Sequence, residues 1–241
     1  MDVLVDYYNL SQRLRRDSII SVVDRITSAL VPLYLPSDER RIDIRLYGGW
    51  YDDQTPTRDA QSISKTLRGH FPSLIYAAPE KRSIVVNADL AYSIKSDPAH
   101  HLWYTLRSKA APRGIDFLDP ASVGCAFPNR CPLRPGYDFF VRGDCIEDSC
   151  EVEAPLVVRR REQKLVDAMM AADVFFSAHL HEPKVAVVTS DDDLWPAIRT
   201  ALQIGMSIVH VHTEKGRSTK AHYVHGDSSG YIQINLLEGV G

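Results

Sequence analysis

The residues with the strongest claim to chemistry in this chain are aspartates placed where strands end. Asp6 closes the apolar run Val3–Val5, and Asp191 and Asp193 follow the apolar segment KVAVVT. In an open parallel sheet, ligands bind beyond the carboxyl ends of the strands, near the point where strand order reverses. Both runs therefore deliver carboxylates to one edge. Three aspartates side by side repel unless a cation sits among them or one keeps its proton. Mg2+ or Mn2+ accepts such an all-oxygen site and retains waters that can become nucleophiles. Plainer readings exist for each part. The triplet Asp191, Asp192 and Asp193 suits a helix N-terminus, where carboxylates cap and meet the macrodipole. Asp6 can close a turn, with Asn9 bonded to nearby backbone. These readings weaken when the two segments are taken together.

The elements that must hold these residues are legible in the hydrophobic pattern. Residues 2–5 read as a buried strand emerging at Asp6. After the polar segment NLSQRLRRD, Asp17 or Ser18 can cap a helix carrying Ile19, Val22, Val23, Ile26 and Leu30, ended by Pro32 and Pro36. Ile42–Tyr47 is a second strand and Ser83–Ala91 a third, with a helix from about Asp59 to Gly69 between them. From there to about Val152 the period is lost among Pro98, Pro112, Pro120, Pro128, Pro132 and Pro135, so loops or an inserted subdomain are expected. From Arg159, apolar residues at Leu165, Met169, Ala172 and Phe176 predict a helix of five turns. KVAVVT is a strand, SDDDLWPAIRTALQIG a helix, MSIVHVH a strand, and YIQINLLE a last short strand. Strands separated by helices imply an α/β protein with a doubly wound parallel sheet. We expect one domain over 1–241, interrupted by a loop-rich, cysteine-containing insertion over 95–155.

Three segments, in order, resemble the NYN domain family of PIN-like nucleases. VLVDYYNL resembles its opening strand, aspartate, and asparagine three residues later, here Asp6 and Asn9. QKLVDAMMAAD resembles its helix bearing a lysine and two aspartates, here Lys164, Asp167 and Asp173. VAVVTSDDDLWPAI resembles its strand followed by two aspartates one residue apart, an apolar pair and a proline, here Asp191, Asp193 and Pro196. The likeness covers about residues 1–50 and 159–212. Two departures stand out: Leu165 replaces the glycine usual after the lysine, and Thr189-Ser190 replaces a serine and a glycine.

The resemblance implies a PIN-like, Rossmannoid fold and a metal-dependent nuclease acting on RNA in preference to DNA. Asp6, Asp167, Asp191 and Asp193 would hold one or two Mg2+ or Mn2+ ions, and Asn9 would orient a ligand, a water or the Asp6 loop. Lys164 shares a helix face with Asp167 and would pair with it or meet phosphate, unless it is simply an exposed lysine. Asp173 stands six residues beyond Asp167, roughly 240° around the helix, so it should point elsewhere and serve structure or an outer layer of the site. The competing class is a binding adaptor that keeps this fold without cutting nucleic acid or that grips a protein partner. A phosphatase acting on small phosphoesters is a third reading, disfavoured because Asp6-Tyr7-Tyr8 lacks the second aspartate such enzymes of the haloacid-dehalogenase type carry.

Composition sets the outer limits. The 241 residues are 44% hydrophobic with a formal net charge of -3, which argues against gripping nucleic acid over the whole surface. Arginine and lysine are bunched at Arg13, Arg15 and Arg16; at Arg40, Arg41 and Arg45; at Arg159, Arg160, Arg161 and Lys164; and at Lys215, Arg217 and Lys220. Such bunches can neutralise phosphates or simply solvate helix ends. No apolar run approaches the roughly 20 residues that span a bilayer, and MDVLVD carries no signal-type leader, so a cytoplasmic location is expected. Cys125, Cys131, Cys145 and Cys150 fall within 26 residues. Structural Zn2+, free thiols and disulfides are all open, because the spacings are looser than zinc sites usually show. His210 and His212 alternate on one strand face, where a core role outweighs a metal role. Trp50, Tyr51 and Trp103 can pack or stack on bases. A second copy or another protein partner is also open.

Overall fold

The computed structural model describes the chain apart from residues 32–34, 36–38, 78–81, 111–117, 148, 158, 181–183, 220–222, 225–229 and 238–241. Pro32, Pro36, Pro112 and Lys220 therefore lie outside the described residues, as do the side chains of Arg159, Arg160 and Arg161. The chain forms two compact units, Met1–Leu106 with Gln163–Gly241, and Arg107–Glu162.

The first unit is built on β1 (Asp2–Asp6), β2 (Arg41–Tyr47), a β3–β4 hairpin (Tyr51–Asp52, Thr55–Pro56), β5 (Ser73–Ala77) and β6 (Arg82–Leu90). Its later half adds β9 (Lys184–Val188), β10 (Ser207–His212) and β11 (Tyr231–Asn235). Its main sheet has the order β11-β10-β9-β1-β2-β6-β5 among the described residues. All neighbours run parallel except β5, which pairs antiparallel with β6. From β1 the chain winds outward through β2 and β6, then returns to the other side of β1 and winds outward again through β9, β10 and β11. Strand order thus reverses between β1 and β9, which makes the sheet doubly wound.

Alternation along each strand fills both faces. Val3, Val5, Ile44, Leu46, Ile84 and Val86 meet α1 (Gln12–Arg16), α2 (Ile19–Leu30) and α3 (Arg58–His70). Leu4, Val185, Val187 and Ile208 meet α6 (Val166–His179) and α7 (Trp195–Gln203). Each such fully buried side chain is worth roughly 1.5–3 kcal/mol. The Ser18 hydroxyl caps α2 by accepting from Ser21 N at 3.1 Å, and Val22, Val23, Ile26 and Leu30 turn inward behind it. Thr57 caps α3 the same way through Ala60 N.

The helix expected from Arg159 begins only at Val166, and this is a correction. Arg159–Gln163 is extended as β8, beside β7 (Leu106–Ala110). Between strand and helix stands Leu165 with φ 68°, a left-handed conformation that a helix cannot propagate through. It falls where the resembling family carries glycine. The short α1 inside the polar segment and the edge strand β5 are additions to the expected elements.

The second unit holds α4 (Arg134–Arg142), a short α5 (Ala154–Val157) and a 3-10 turn at Pro128–Arg130. Arg134 pairs with Asp119 at 3.1 Å and with Asp138 at 3.0 Å. Among its described residues no large apolar side chain is buried, and Leu118, Phe127, Leu133 and Ile146 are exposed. No helix of the described residues is long and apolar enough to cross a membrane.

Candidate functional site

Parallel pairing of β1 with β9 sets Val5 opposite Val188, so both strands stop at the same height and release their next residues at the same edge. Asp6 is there, almost wholly buried, and Asp191 follows Thr189 and Ser190 out of β9. Asn9 joins the two. Its backbone and side-chain amides both donate to Asp6, the latter at 2.5 Å, and the same side chain approaches Asp191 Oδ2 at 3.4 Å. The other oxygen of Asp191 accepts from Asp193 N at 3.0 Å and so caps the 3-10 turn Asp192–Leu194 that leads into α7. Capping and site-building are thus shared between the two oxygens of one carboxylate. Asp192 points away from this division and pairs with Arg217 at 3.0 Å.

Asp167 enters from the first turn of α6, and its charge is felt at Asp6. Burial first, then the Asp167 and Asp191 carboxylates, lift the Asp6 pKa from the ordinary 3.8 to about 6, against the opposing pull of its Asn9 hydrogen bonds. Asp167 is likewise raised, by loss of solvent around its carboxyl and by Asp191 and Asp193. The four expected acids therefore form one electrostatic group. Asp167 and Asp193 are its exposed members, and Asp191 is half-buried. Lys164 precedes the left-handed Leu165 and lies outside α6, so the expected helix face shared with Asp167 is corrected; it sits half-buried, its backbone N–H donating to Thr105 O at 2.9 Å.

A folded-state carboxyl pKa above its unfolded value destabilises the fold once pH exceeds it. Asp6→Asn is therefore expected to stabilise the chelated protein at pH 8 by about 3 kcal/mol, the equivalent of moving a pKa from 3.8 to about 6. Urea unfolding of the pair in EDTA measures this, and an unchanged midpoint would refute it.

Asp173 belongs elsewhere. It is fully buried and accepts hydrogen bonds from the Tyr47 hydroxyl at 2.5 Å and Lys95 N at 2.6 Å, with Arg45 at 3.5 Å. Burial raises its pKa in spite of these partners. Its work is to tie α6 to β2 and the segment after β6, not to meet a substrate. Replacement by asparagine leaves one acceptor oxygen for the two donors Tyr47 and Lys95 N and is expected to cost about 1–2 kcal/mol through the lost hydrogen bond, while sparing the acidic edge. Thermal melts beside an activity assay check both halves of that statement.

Several supporting residues escaped the sequence reading. The Thr189 hydroxyl accepts from Asp191 N at 3.1 Å, and the Ser190 hydroxyl accepts from Thr213 N at 2.9 Å and from Glu214 N at 3.2 Å. The buried Thr213 hydroxyl donates to Asn9 O at 2.8 Å. Together they lace the ends of β1, β9 and β10. The signal available was position: each lies within three residues of a parallel strand's carboxyl end. One layer below, His210 Nε2 donates to Thr189 O at 3.2 Å, and His210 Nδ1 lies 3.0 Å from the Tyr231 hydroxyl. Burial, reinforced by neighbouring His212, lowers the His210 pKa to about 3, so the ring is neutral and structural. The aromatic residues divide as well: Trp50 and Tyr51 are core, packed with Tyr7, Tyr8 and Tyr92, and Trp103 is 41% exposed. Gly48 makes room for this packing, since a Cβ there would come within 2.8 Å of Trp50 and 3.0 Å of Tyr8.

The donor set of the acidic edge, carboxylates without thiol or imidazole, matches the oxygen preference of Mg2+ and Mn2+. Among the described residues no three His, Cys, Asp or Glu side chains converge into a metal-binding group. The four acids are thus assembled at one edge without being drawn together. Cys125, Cys131, Cys145 and Cys150 all lie half-buried and unbridged in the second unit. They too fall short of a converged metal-binding group.

No family model, no curated protein and no solved structure matches the chain.

Proposed function

We propose that the chain is a divalent-metal-dependent nuclease of the NYN kind that hydrolyses phosphodiester bonds, in RNA rather than DNA. The observation that carries the reading is the electrostatic group of Asp6, Asp167, Asp191 and Asp193 at the point where strand order reverses. Natural folds rarely gather this much like charge without a cation to offset it. The segment likeness to NYN domains supports the same conclusion, and the preference for RNA rests on that likeness alone.

Asp6, Asp167, Asp191 and Asp193 would hold the Mg2+ or Mn2+. When bound, the ion supplies Lewis acidity and makes water a competent nucleophile near neutral pH. The remaining work falls to the chain. Water oxygen attacks phosphorus in line and gives up a proton to solvent, the opposite P–O bond breaks, and the departing oxygen takes up a proton from solvent. Asn9, anchored by Thr213, fixes the orientation of Asp6 and its distance from Asp191. Lys164 is suited to meet a phosphate beside Asp167. Because a ligand carboxylate must be ionised, metal affinity should weaken as pH falls through about 6, the Asp6 value.

Incubation of the whole protein with labelled RNA and DNA, in Mg2+, Mn2+ or EDTA, beside Asp191→Asn tests the reading. Cleavage that survives both chelation and the substitution ends it. Absence of cleavage on every substrate moves the weight to the non-cleaving adaptor.

A structural Zn2+ held by Cys125, Cys131, Cys145 and Cys150 is proposed for the second unit, whose described residues bury no large apolar side chain, which makes a metal staple physically apt. Metal analysis of untreated protein that finds no zinc refutes it.

A further inference from the structure

We propose that Trp103, backed by His101 and Tyr51 and flanked by Tyr104, is a stacking platform for an unpaired nucleobase. The inference rests on the nuclease reading for its choice of ligand, but its observations are separate ones.

The segment His101–Thr105 leaves the region beyond the end of β6 and is pinned by three backbone hydrogen bonds and one through a side chain. Leu102 N donates to Tyr92 O at 2.7 Å, Tyr104 N donates to Asp53 O at 2.9 Å, and Thr105 O accepts from Lys164 N at 2.9 Å. The Thr105 hydroxyl accepts from Tyr51 N at 2.9 Å. On this fixed segment the rings are packed against one another. Trp103 meets Tyr51 edge to face at 4.5 Å and lies 5.4 Å from His101, which stacks on Tyr92 and comes within 2.9 Å of the Tyr51 hydroxyl through Nδ1. Even so, Trp103 and Tyr104 each remain 41% exposed, Tyr104 with a left-handed φ of 61°. Large aromatic surface held open by a pinned backbone is prepared for contact at little further cost in entropy.

Two chains of contact connect the platform to the acids. Tyr51 follows Trp50, which packs on Tyr7, the residue after Asp6. Thr105 is bonded to Lys164, three residues before Asp167. Ring faces recognise bases of any sequence, but only where the base's own faces are free, as in single strands, bulges and flipped-out nucleotides. A duplex interior offers no such face. The platform also answers the net charge of -3: stacking supplies affinity that does not require a wide basic surface.

Trp50 and Trp195 are buried, so Trp103 dominates the fluorescence accessible to a ligand. The experiment titrates the full chain, in EDTA to prevent cleavage, with a 12-nucleotide unstructured RNA and its DNA equivalent. The same strands annealed to complements, and strands carrying abasic sites, serve as controls. Saturable quenching by single strands is expected, with duplex and abasic probes binding about tenfold more weakly or worse. Trp103→Ala should lose about tenfold in single-strand affinity by anisotropy, and Trp103→Phe should recover part of it. Equal binding of single strand and duplex, or Trp103→Ala binding like the parent, overturns the proposal. Binding without cleavage in Mg2+ or Mn2+ would leave the platform standing and remove the nuclease reading. Cleavage of duplex and single strand alike, unaffected by Trp103→Ala, would do the reverse.

Discussion

Asp191→Asn is expected to lower Mg2+- or Mn2+-dependent cleavage by about 10^3-fold or more while leaving the fold in place. The reason lies in how the carboxylate is divided. Its Oδ1 accepts from Asp193 N, a bond that an asparagine carbonyl reproduces, so the turn into α7 survives. What disappears is the negative charge at the Oδ2 side, close to Asn9 and within the electrostatic reach of Asp6 and Asp167. An ion held by carboxylates contributes several kcal/mol of transition-state stabilisation, and each 1.36 kcal/mol is a factor of ten in rate. Removing a ligand also weakens the ion's hold. Single-turnover cleavage at saturating metal separates the two losses, and circular dichroism confirms the fold. A variant that keeps full single-turnover activity would mean that Asp191 only caps a turn.

The second large effect is a loss of stability in mild acid, driven by His210. With a folded pKa of about 3 against 6.5 in the unfolded chain, the unfolded state takes up a proton between these values and the native state does not. The stability this group confers is complete above pH 6.5 and is lost as pH falls toward 3, by up to about 5 kcal/mol. His212, also lowered by burial, acts in the same direction. Asp6 acts in the opposite sense. Raised from 3.8 to about 6, it favours the native state at low pH and ceases to do so as pH rises through 6. The two groups therefore oppose each other between about pH 3.8 and 6, while His210 acts alone just above and just below that range. Unfolding midpoints measured from pH 3 to 8 should decline on the acid side. His210→Gln, which keeps a donor for Thr189 O, should flatten the decline, and Asp6→Asn should steepen it. Because the two groups offset each other between about pH 3.8 and 6, the Asp6→Asn variant isolates His210, and equal stability of that variant at pH 4 and pH 7 contradicts the assignment.

Much of this architecture is written locally. The continuous apolar runs at β1 and β9, the alternation in β2 and β6, and the capped period of α2 can be read because burial on each face imposes its own spacing. The edge carrying Asp6 and Asp191 follows from the same reading, since parallel strands fix where carboxyl ends emerge. Arg159–Gln163 misled because a charged segment beside a true helix has no apolar pattern to contradict helical extension. Its extended form depends on β7, which lies more than fifty residues earlier, and on the left-handed Leu165. Asp173 was placed correctly in angle, but its partners Tyr47, Arg45 and Lys95 come from distant segments that no local spacing announces. The hydroxyls of Thr189, Ser190 and Thr213 were missed for a related reason: small polar residues after strands are so common that only their mutual bonds distinguish these three.

The reversal of strand order between β1 and β9 has a consequence for the life of the chain during its synthesis. Asn9 and Asp191, whose side chains approach each other at that seam, are separated by 182 positions. The strands β1, β2 and β6 can associate as they emerge, but they carry only one of the four acids. On the proposed nuclease reading, a growing chain would lack its assembled acidic edge for most of its length. Whatever nucleic acid surrounds it, including the message that encodes it, meets an assembled acidic edge only after β9 has closed against β1. Residues 1–106 carry Asp6 alone of the four acids, so on the proposed nuclease reading any cleavage would report that the two windings have come together.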